Sequence, residues 1–252
     1  MKIDFPSPGQ IPALRELWKA AFGDGDDFLD PFFAIAFAPE RCRCVSEDKK
    51  VAAALYWFDC SCDDQHFAYV YAVATHPDFR NRGLCASLMA DTKALLEGQG
   101  YDGILLYPAS EELSRMYEKL GYYRCTAVSE FTCEADRTPA ILEKIGKNRY
   151  ALLRRQYLPQ GGVIQEGPLL DFLAELADFY AGEDFVAAVT VDSGEARCHE
   201  LLGNLTMAPK ILCALGVQNG FFRTPGSEKP FAMSLFLTSK AADPTYFGFP
   251  LD

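Results

Sequence analysis

No apolar run in this chain of 252 residues approaches the ~20 that a membrane-crossing helix needs. Its first ten residues, MKIDFPSPGQ, carry no apolar stretch behind the basic residue, so a secretory leader is not expected and the expected location is cytoplasmic. An excess of basic residues is missing too. The formal net charge is −11, which disfavours nucleic acid, because phosphate contacts need clustered Lys and Arg. The same acidity is compatible with a cationic substrate such as an amine, or with no more than solubility. Neither a G-x-G-x-x-G turn nor a GxxxxGK[ST] loop is found, which excludes the familiar dinucleotide and P-loop signatures. Nine cysteines are present, odd in number and scattered, and they read as small buried hydrophobes rather than disulfides. The pairs Cys42/Cys44 and Cys60/Cys62 each fall on one strand face. They lack the wider C-x-x-C spacing of structural zinc sites, and no metal is expected.

With 49% hydrophobic and 23% charged residues, the chain can bury a real core. It is long enough for one large domain or two small ones. Its most informative stretch is Tyr69 to Met89, YVYAVATHPDFRNRGLCASLM. An apolar, β-branched and aromatic run leads into a polar loop with Pro77, Arg80 and Arg82. Gly83 and a helical pattern follow, with Leu84, Leu88 and Leu95 as its apolar positions. A strand, a loop, a glycine and a helix in that order offer backbone N–H groups and the positive end of a helix dipole to an anion, usually a phosphate. The N–H groups from Asn81 to Cys85 would be the donors, Gly83 would permit close approach, and Arg80 and Arg82 would pair from the rim.

Around this stretch the spacing predicts helices over 11–22 and 28–37, with Pro12 in the first turn. The Phe28, Phe32, Phe33 and Phe37 cluster reads as core or as a pocket lining. Strands are expected at 41–45 and 51–59 as a hairpin, then at 65–75 and 104–107, with a helix over 83–97 ended by Gly98 and Gly100. A further helix, 111–120, carries Leu113, Met116, Tyr117 and Leu120 on one side, and 122–134 alternates as one or two strands. Asp136 to Pro139 reads as a seam. Beyond it the pattern predicts a basic helical turn at 150–157, a helix over 169–180, a hairpin of 185–191 with 196–202, a helix over 208–215, and strands at 220–224 and 231–238.

The run from Arg80 to Cys85 resembles the R/Q-x-x-G-x-G/A pyrophosphate loop of the GNAT superfamily of N-acetyltransferases, with Cys85 where Gly or Ala is usual. Ser110 to Tyr122, SEELSRMYEKLGY, resembles the same family's N-x-x-A-x-x-L-Y-x-K-x-G-F signature. Tyr117 falls on the general-acid tyrosine and Gly121-Tyr122 on the Gly-Phe. Ser110 stands where Asn is usual, and Ser114 where Ala is usual. Within the family the chain is most similar to the enhanced-intracellular-survival type, which carries a degenerate second acetyltransferase lobe. The resemblance implies an α/β (α+β) fold. A GNAT domain over 1–138, with a mixed, mostly antiparallel sheet flanked by helices, would be followed by a smaller degenerate GNAT-like lobe over 145–252. Residues 203–207, GNLTM, hold no arginine and no R-x-x-G, so the second lobe is expected to bind no CoA.

The resemblance further implies acetyl-CoA as cosubstrate. Main-chain groups of Val73, Ala74 and Thr75 would hold its pantetheine arm, and Arg80, Asn81, Arg82, Gly83, Leu84, Cys85 and Ser110 would complete the cofactor site. Tyr117 would protonate the leaving thiolate after a primary amine of a small molecule or peptide attacks directly. A homodimer is compatible with this reading. Asp59, Asp64, His66 and the terminal carboxylate of Asp252 are the candidate bases, and His76 reads as a loop residue. The competing reading is a non-catalytic acyl-CoA-binding module.

Overall fold

The computed structural model describes residues 2–47, 50–239 and 241–249. In chain order the elements are β1 (Lys2–Asp4), α1 (Ile11–Phe22), α2 (Asp26–Pro31), β2 (Cys42–Glu47), β3 (Lys50–Cys62), β4 (Gln65–Thr75), α3 (Leu84–Gly98), β5 (Gly103–Leu106), α4 (Glu111–Lys119), β6 (Tyr123–Arg124) and β7 (Ala127–Glu134). There follow β8 (Glu143–Ile145), α5 (Lys147–Tyr157), α6 (Pro168–Leu176), β9 (Asp178–Ala181), β10 (Phe185–Asp192), β11 (Glu195–Gly203), α7 (Ala208–Leu215), β12 (Asn219–Pro225), β13 (Lys229–Pro230) and β14 (Met233–Phe236). Among the described residues no helix is long and apolar enough to cross a membrane.

Two compact units result: Met1–Tyr123 with Met233–Ala242, and Arg124–Ala232 with Asp243–Asp252. The changeover falls at Tyr123/Arg124 and not at the Asp136–Pro139 seam read from the sequence. The cause is a strand exchange. Each unit holds a seven-stranded sheet, ordered β1-β2-β3-β4-β5-β14-β6 in the first and β8-β9-β10-β11-β12-β7-β13 in the second. The two orders are the same topology with β7 and β14 traded. The matching extends to detail. In each sheet the fourth and fifth strands run parallel, β4 with β5 and β11 with β12. In each, the fourth strand bulges against the third, between the Ala54–Ala74 and Tyr56–Tyr71 pairs and between the Ala188–Glu200 and Val189–Cys198 pairs.

In the first unit, alternation along β3 sorts side chains to two faces. Ala53, Leu55 and Trp57 join Leu84, Leu88, Met89 and Leu96 of α3 in one buried cluster. Tyr56 faces the other way, where Trp18 of α1 meets Phe32, Tyr56 and Tyr71 at ring separations of 4.6, 5.2 and 5.7 Å. The 28–37 helix expected from the sequence is broken: α2 ends at Pro31, and Phe32–Ala36 forms a π-helical turn. Proline at 31 has no N–H to give to the preceding turn. Phe32 is fully buried, so that aromatic belongs to the core.

In the second unit, Ala208, Ile211 and Leu212 of α7 pack with Ala187, Val189, Cys198, Leu201 and Phe222 of the sheet. The helix expected over 169–180 stops at Leu176, and Asp178–Ala181 pairs instead as β9 between β8 and β10. The C-terminal Tyr246, Phe247 and Phe249 are buried within this unit, with Tyr246 bridged to Gly162 and the Phe249 carbonyl accepting from Gln165 Nε2 at 2.6 Å.

Candidate active site

The bulge in β4 places Ala72 at φ +48°, a left-handed conformation that costs a side-chain-bearing residue about 1–2 kcal/mol. Past it, β4 no longer pairs with β5: their register runs only from Phe67–Gly103 to Tyr69–Leu105. The backbone of Val73, Ala74 and Thr75 therefore borders a gap in the sheet. At the end of the strand Pro77 starts a single 3-10 turn, with His76 Nδ1 accepting from the Asp78 N–H at 3.2 Å. His76 is thus a loop cap, as the sequence suggested. Asn81 and Gly83 then take φ +61° and +72°, and α3 begins at Leu84 without a side-chain cap. The first N–H groups of a helix have no intrahelical acceptor, so those of its first turn are left open.

Gly83 is needed here for its φ rather than for space, since an added Cβ would meet nothing within 4 Å. Gly83→Val is expected to weaken binding of an anionic ligand at this turn about five- to thirtyfold, the equivalent of the left-handed penalty of ~1–2 kcal/mol. Calorimetric titration of the variant would show this, and an unchanged affinity would contradict the role assigned to the turn.

Gap, loop and helix start line one cavity of about 370 Å³, whose walls are Ala21, Phe22, Val73, Ala74, Thr75, Phe79, Arg80, Asn81, Gly83, Leu84, Cys85, Leu113, Met116 and Tyr117. Nine residues singled out from the sequence meet there: Val73, Ala74, Thr75, Arg80, Asn81, Gly83, Leu84, Cys85 and Tyr117. Arg82 and Ser110 lie outside that wall. Arg82 donates to the Asp78 carbonyl at 3.1 Å, pairs with Glu47 at 3.6 Å and lies over the Phe79 ring. Ser110 caps α4 by accepting from the Leu113 N–H at 3.2 Å. The residues not foreseen, Ala21, Phe22, Phe79, Leu113 and Met116, are apolar. Only the one-sided spacing of Leu113, Met116 and Tyr117 gave a sign of them.

Tyr117 is buried at 6% exposure. Burial, reinforced by the neighbouring Cys85, pushes its phenol well above the usual tyrosine range. The group is therefore held protonated, the state a proton donor requires. Burial likewise raises the Cys85 thiol, which disfavours the nucleophilic thiolate.

Asp59, Asp64 and His66 are not among the residues that line this cavity. Asp59 pairs with Ala68 across the sheet. Val73 is five residues further along β4, roughly 16 Å at the ordinary strand rise. Asp59 is engaged by Arg41, Tyr101 and His66, with His66 stacked on Tyr101 at 4.0 Å. Asp64 lies beyond it, in the β3–β4 turn. Asp252 is outside the described residues. The cysteine pairs are separated along the sheet: Cys44 sits opposite Ala54, and Cys60 opposite Phe67. Among the described residues no group of three or more His, Cys, Asp or Glu is placed to hold a metal ion.

The corresponding place in the second unit is built differently. The register of β11 with β12 ends at Cys198–Phe222, and beyond it Thr224 Oγ1 donates to the Leu201 carbonyl at 2.9 Å across the opening. The turn before α7 is Leu205–Met207, capped by Asn204, and no helix intervenes between β12 and β13.

The profile described as "Acetyltransferase (GNAT) domain" matches residues 2–125. No curated protein matches the sequence significantly. Among solved structures, the fold is similar to a probable N-acyltransferase from Enterococcus faecalis, with TM-score 0.71, 16% identity, and coverage of 94% of this chain and 72% of that one. It is similar to a GCN5-related N-acetyltransferase from Anabaena variabilis, with TM-score 0.70, 15% identity, and coverage of 94% and 73%. Eis1 from Mycobacterium abscessus is similar at TM-score 0.66 and 11% identity, with coverage of 94% and 74%. At these identities the likeness is one of fold, and it extends over both units.

Proposed function

The chain is a GNAT-type acetyltransferase through residues 2–125, and from that premise we propose that it transfers the acetyl group of acetyl-CoA to a primary amine of a small molecule or peptide, by direct attack in a ternary complex. The observation that carries this is the single cavity running from the start of α3, past the unpaired edge of β4, to the buried hydroxyl-bearing ring of Tyr117. The residues fit the cosubstrate. Gly83, Leu84 and Cys85 offer backbone N–H groups to a pyrophosphate with Arg80 beside them, and Val73 to Thr75 offer a strand edge to the amide-bearing arm.

The chemistry follows from proton affinities. A lysine-like amine, with pKa ~10.4, must be neutral to attack. Its nitrogen forms the new C–N bond as the C–S bond breaks and the electron pair passes to sulfur. Tyr117 gives its proton to that sulfur; the conjugate thiol has a pKa of ~8.5, below the ~10 of a tyrosine, so the transfer is uphill by ordinary pKa values and needs the donor held against the sulfur as the bond opens and the phenolate oxygen stabilised. The proton lost by the amine restores Tyr117. The second unit is assigned no CoA site, because its loop lacks arginine and Thr224 bridges the matching gap.

Titration calorimetry with CoA and acetyl-CoA is expected to show saturable binding with one site per chain. No binding at millimolar ligand would remove the proposal. Thiol release from acetyl-CoA, followed across a panel of primary amines, then separates catalysis from a non-catalytic acyl-CoA-binding module. Catalysis requires a rate that depends on the amine.

A further inference from the structure

Tyr122 carries a hydroxyl that the fold has no structural use for. Its ring sits in the core of the first unit at 3% exposure. Its Oη finds no hydrogen-bond partner among the described protein groups. Leaving a buried hydroxyl unpaired costs a protein free energy, and phenylalanine would fill the same space without that cost. The position is not casual. Gly121, at φ +93°, turns the chain at the end of α4, and the Tyr122 N–H donates to the Tyr117 carbonyl at 3.1 Å. The two rings meet edge to face at 5.8 Å and 65°. Tyr122 therefore stands directly behind the tyrosine that lines the cavity. The titratable groups acting on it are Tyr117 of α4 and Cys85 of α3, both cavity residues.

We propose that Tyr122 is a positioning residue for proton donation, its hydroxyl serving the hydroxyl of Tyr117 through one bridging water. This rests on Tyr117 being the proton donor. As the proton of Tyr117 moves to the sulfur of the departing CoA, negative charge develops on the Tyr117 oxygen. A hydrogen bond donated to that oxygen by the bridging water, itself held by Tyr122, stabilises it, and Tyr122 keeps its own proton throughout. The pairing also gives the Tyr122 hydroxyl the partner it otherwise lacks. A bridging water would have Tyr117, Tyr122 and Cys85 as its polar neighbours, within the two to four that a buried water ordinarily uses.

Free CoA provides a test that needs no acceptor. Its thiol ionises near ~8.5, and the thiolate is the species the donor pair stabilises, whereas acetyl-CoA has no thiol to ionise. Affinity for both ligands would be measured between about pH 7 and 10, across the thiol's ordinary pKa, for the unaltered protein, Tyr117→Phe, Tyr122→Phe and the double variant. CoA is expected to bind more tightly as pH rises, while acetyl-CoA is not. Tyr117→Phe should abolish the thiolate preference. Tyr122→Phe should reduce it about three- to tenfold, the worth of one hydrogen bond, with acetyl-CoA affinity and thermal stability preserved. The double variant should match Tyr117→Phe, because Tyr122 acts through Tyr117. A Tyr122→Phe profile identical to the unaltered protein, beside a Tyr117→Phe profile that has lost the preference, would overturn the role of Tyr122 alone. No preference in the unaltered protein would remove the donor role of Tyr117 and this inference with it. Equal weakening of both ligands by Tyr122→Phe would make the residue structural.

Discussion

Tyr117→Phe is expected to lower kcat by about 10²–10³-fold, the usual worth of a positioned general acid, while acetyl-CoA affinity stays within about twofold. The substitution removes one oxygen from a ring that remains packed at 6% exposure. The cavity keeps its shape, and every group of the loop from Arg80 to Cys85 is untouched. The pH profile sharpens the expectation. Burial raises the phenol, so the folded protein holds that proton above the ordinary tyrosine pKa of ~10. The donor form is fully present below that value and would be lost only as pH rises through the raised one. The rate should therefore show no alkaline fall below pH ~10 that disappears in Tyr117→Phe. An affinity loss as large as the rate loss would point to a structural role instead.

The second large effect concerns stability. Glu200 is fully buried in the bulge of β11, and Arg154 of α5 is 4% exposed. The guanidinium donates to the carboxylate through Nε at 2.7 Å and Nη2 at 3.1 Å. Two further N–H groups donate to the Val163 carbonyl at 2.8 Å and Gln165 Oε1 at 3.1 Å, and Tyr150 Oη donates to Glu200 at 2.6 Å. A pair like this contributes little net energy against an apolar replacement, but breaking it strands a charge. Glu200→Ala is expected to cost about 3–5 kcal/mol. The urea midpoint for the loss of structure in this unit should fall by roughly 1 M or more. The paired change Arg154→Met with Glu200→Leu should recover most of that loss. A midpoint shift below about 0.3 M for Glu200→Ala, equivalent to under ~1 kcal/mol at an ordinary urea slope, would show that the charge is compensated in another way.

The cavity assigned to the acyl donor was legible because its residues are encoded locally. Arg80 to Cys85 and Ser110 to Tyr122 are short segments whose spacing survives in the fold, and nine of the positions they and β4 contribute share one wall. The helices over Leu84–Gly98 and Ala208–Leu215 were legible for the same reason, having clear apolar periodicity and glycine stops. What sequence could not supply was set by distant partners. Asp59, Asp64 and His66 looked suitable as bases by residue type alone, and only the register of β3 with β4 shows them far along the sheet. Asp178–Ala181 continued a helical pattern, yet it became a strand because β8 and β10 offered it ladders on both sides. Arg82 read as a phosphate ligand, and in the fold its neighbours are Glu47 and Phe79. The apolar wall of the cavity had no signal distinguishable from core.

The traded strands also set an order for making the protein. β5 is completed on one side by β14, which pairs Gly103 with Phe236 and Leu106 with Met233. During synthesis the ribosome releases β5 long before β14 exists. Through that interval the first sheet carries an open edge at β5, on the side away from β4. An unpaired edge of this kind recruits other strands. Expression slowed or stopped short of residue 233 should therefore yield aggregation rather than a smaller working acetyltransferase. Separating the two halves into independent polypeptides would fail for the same reason unless both were made together.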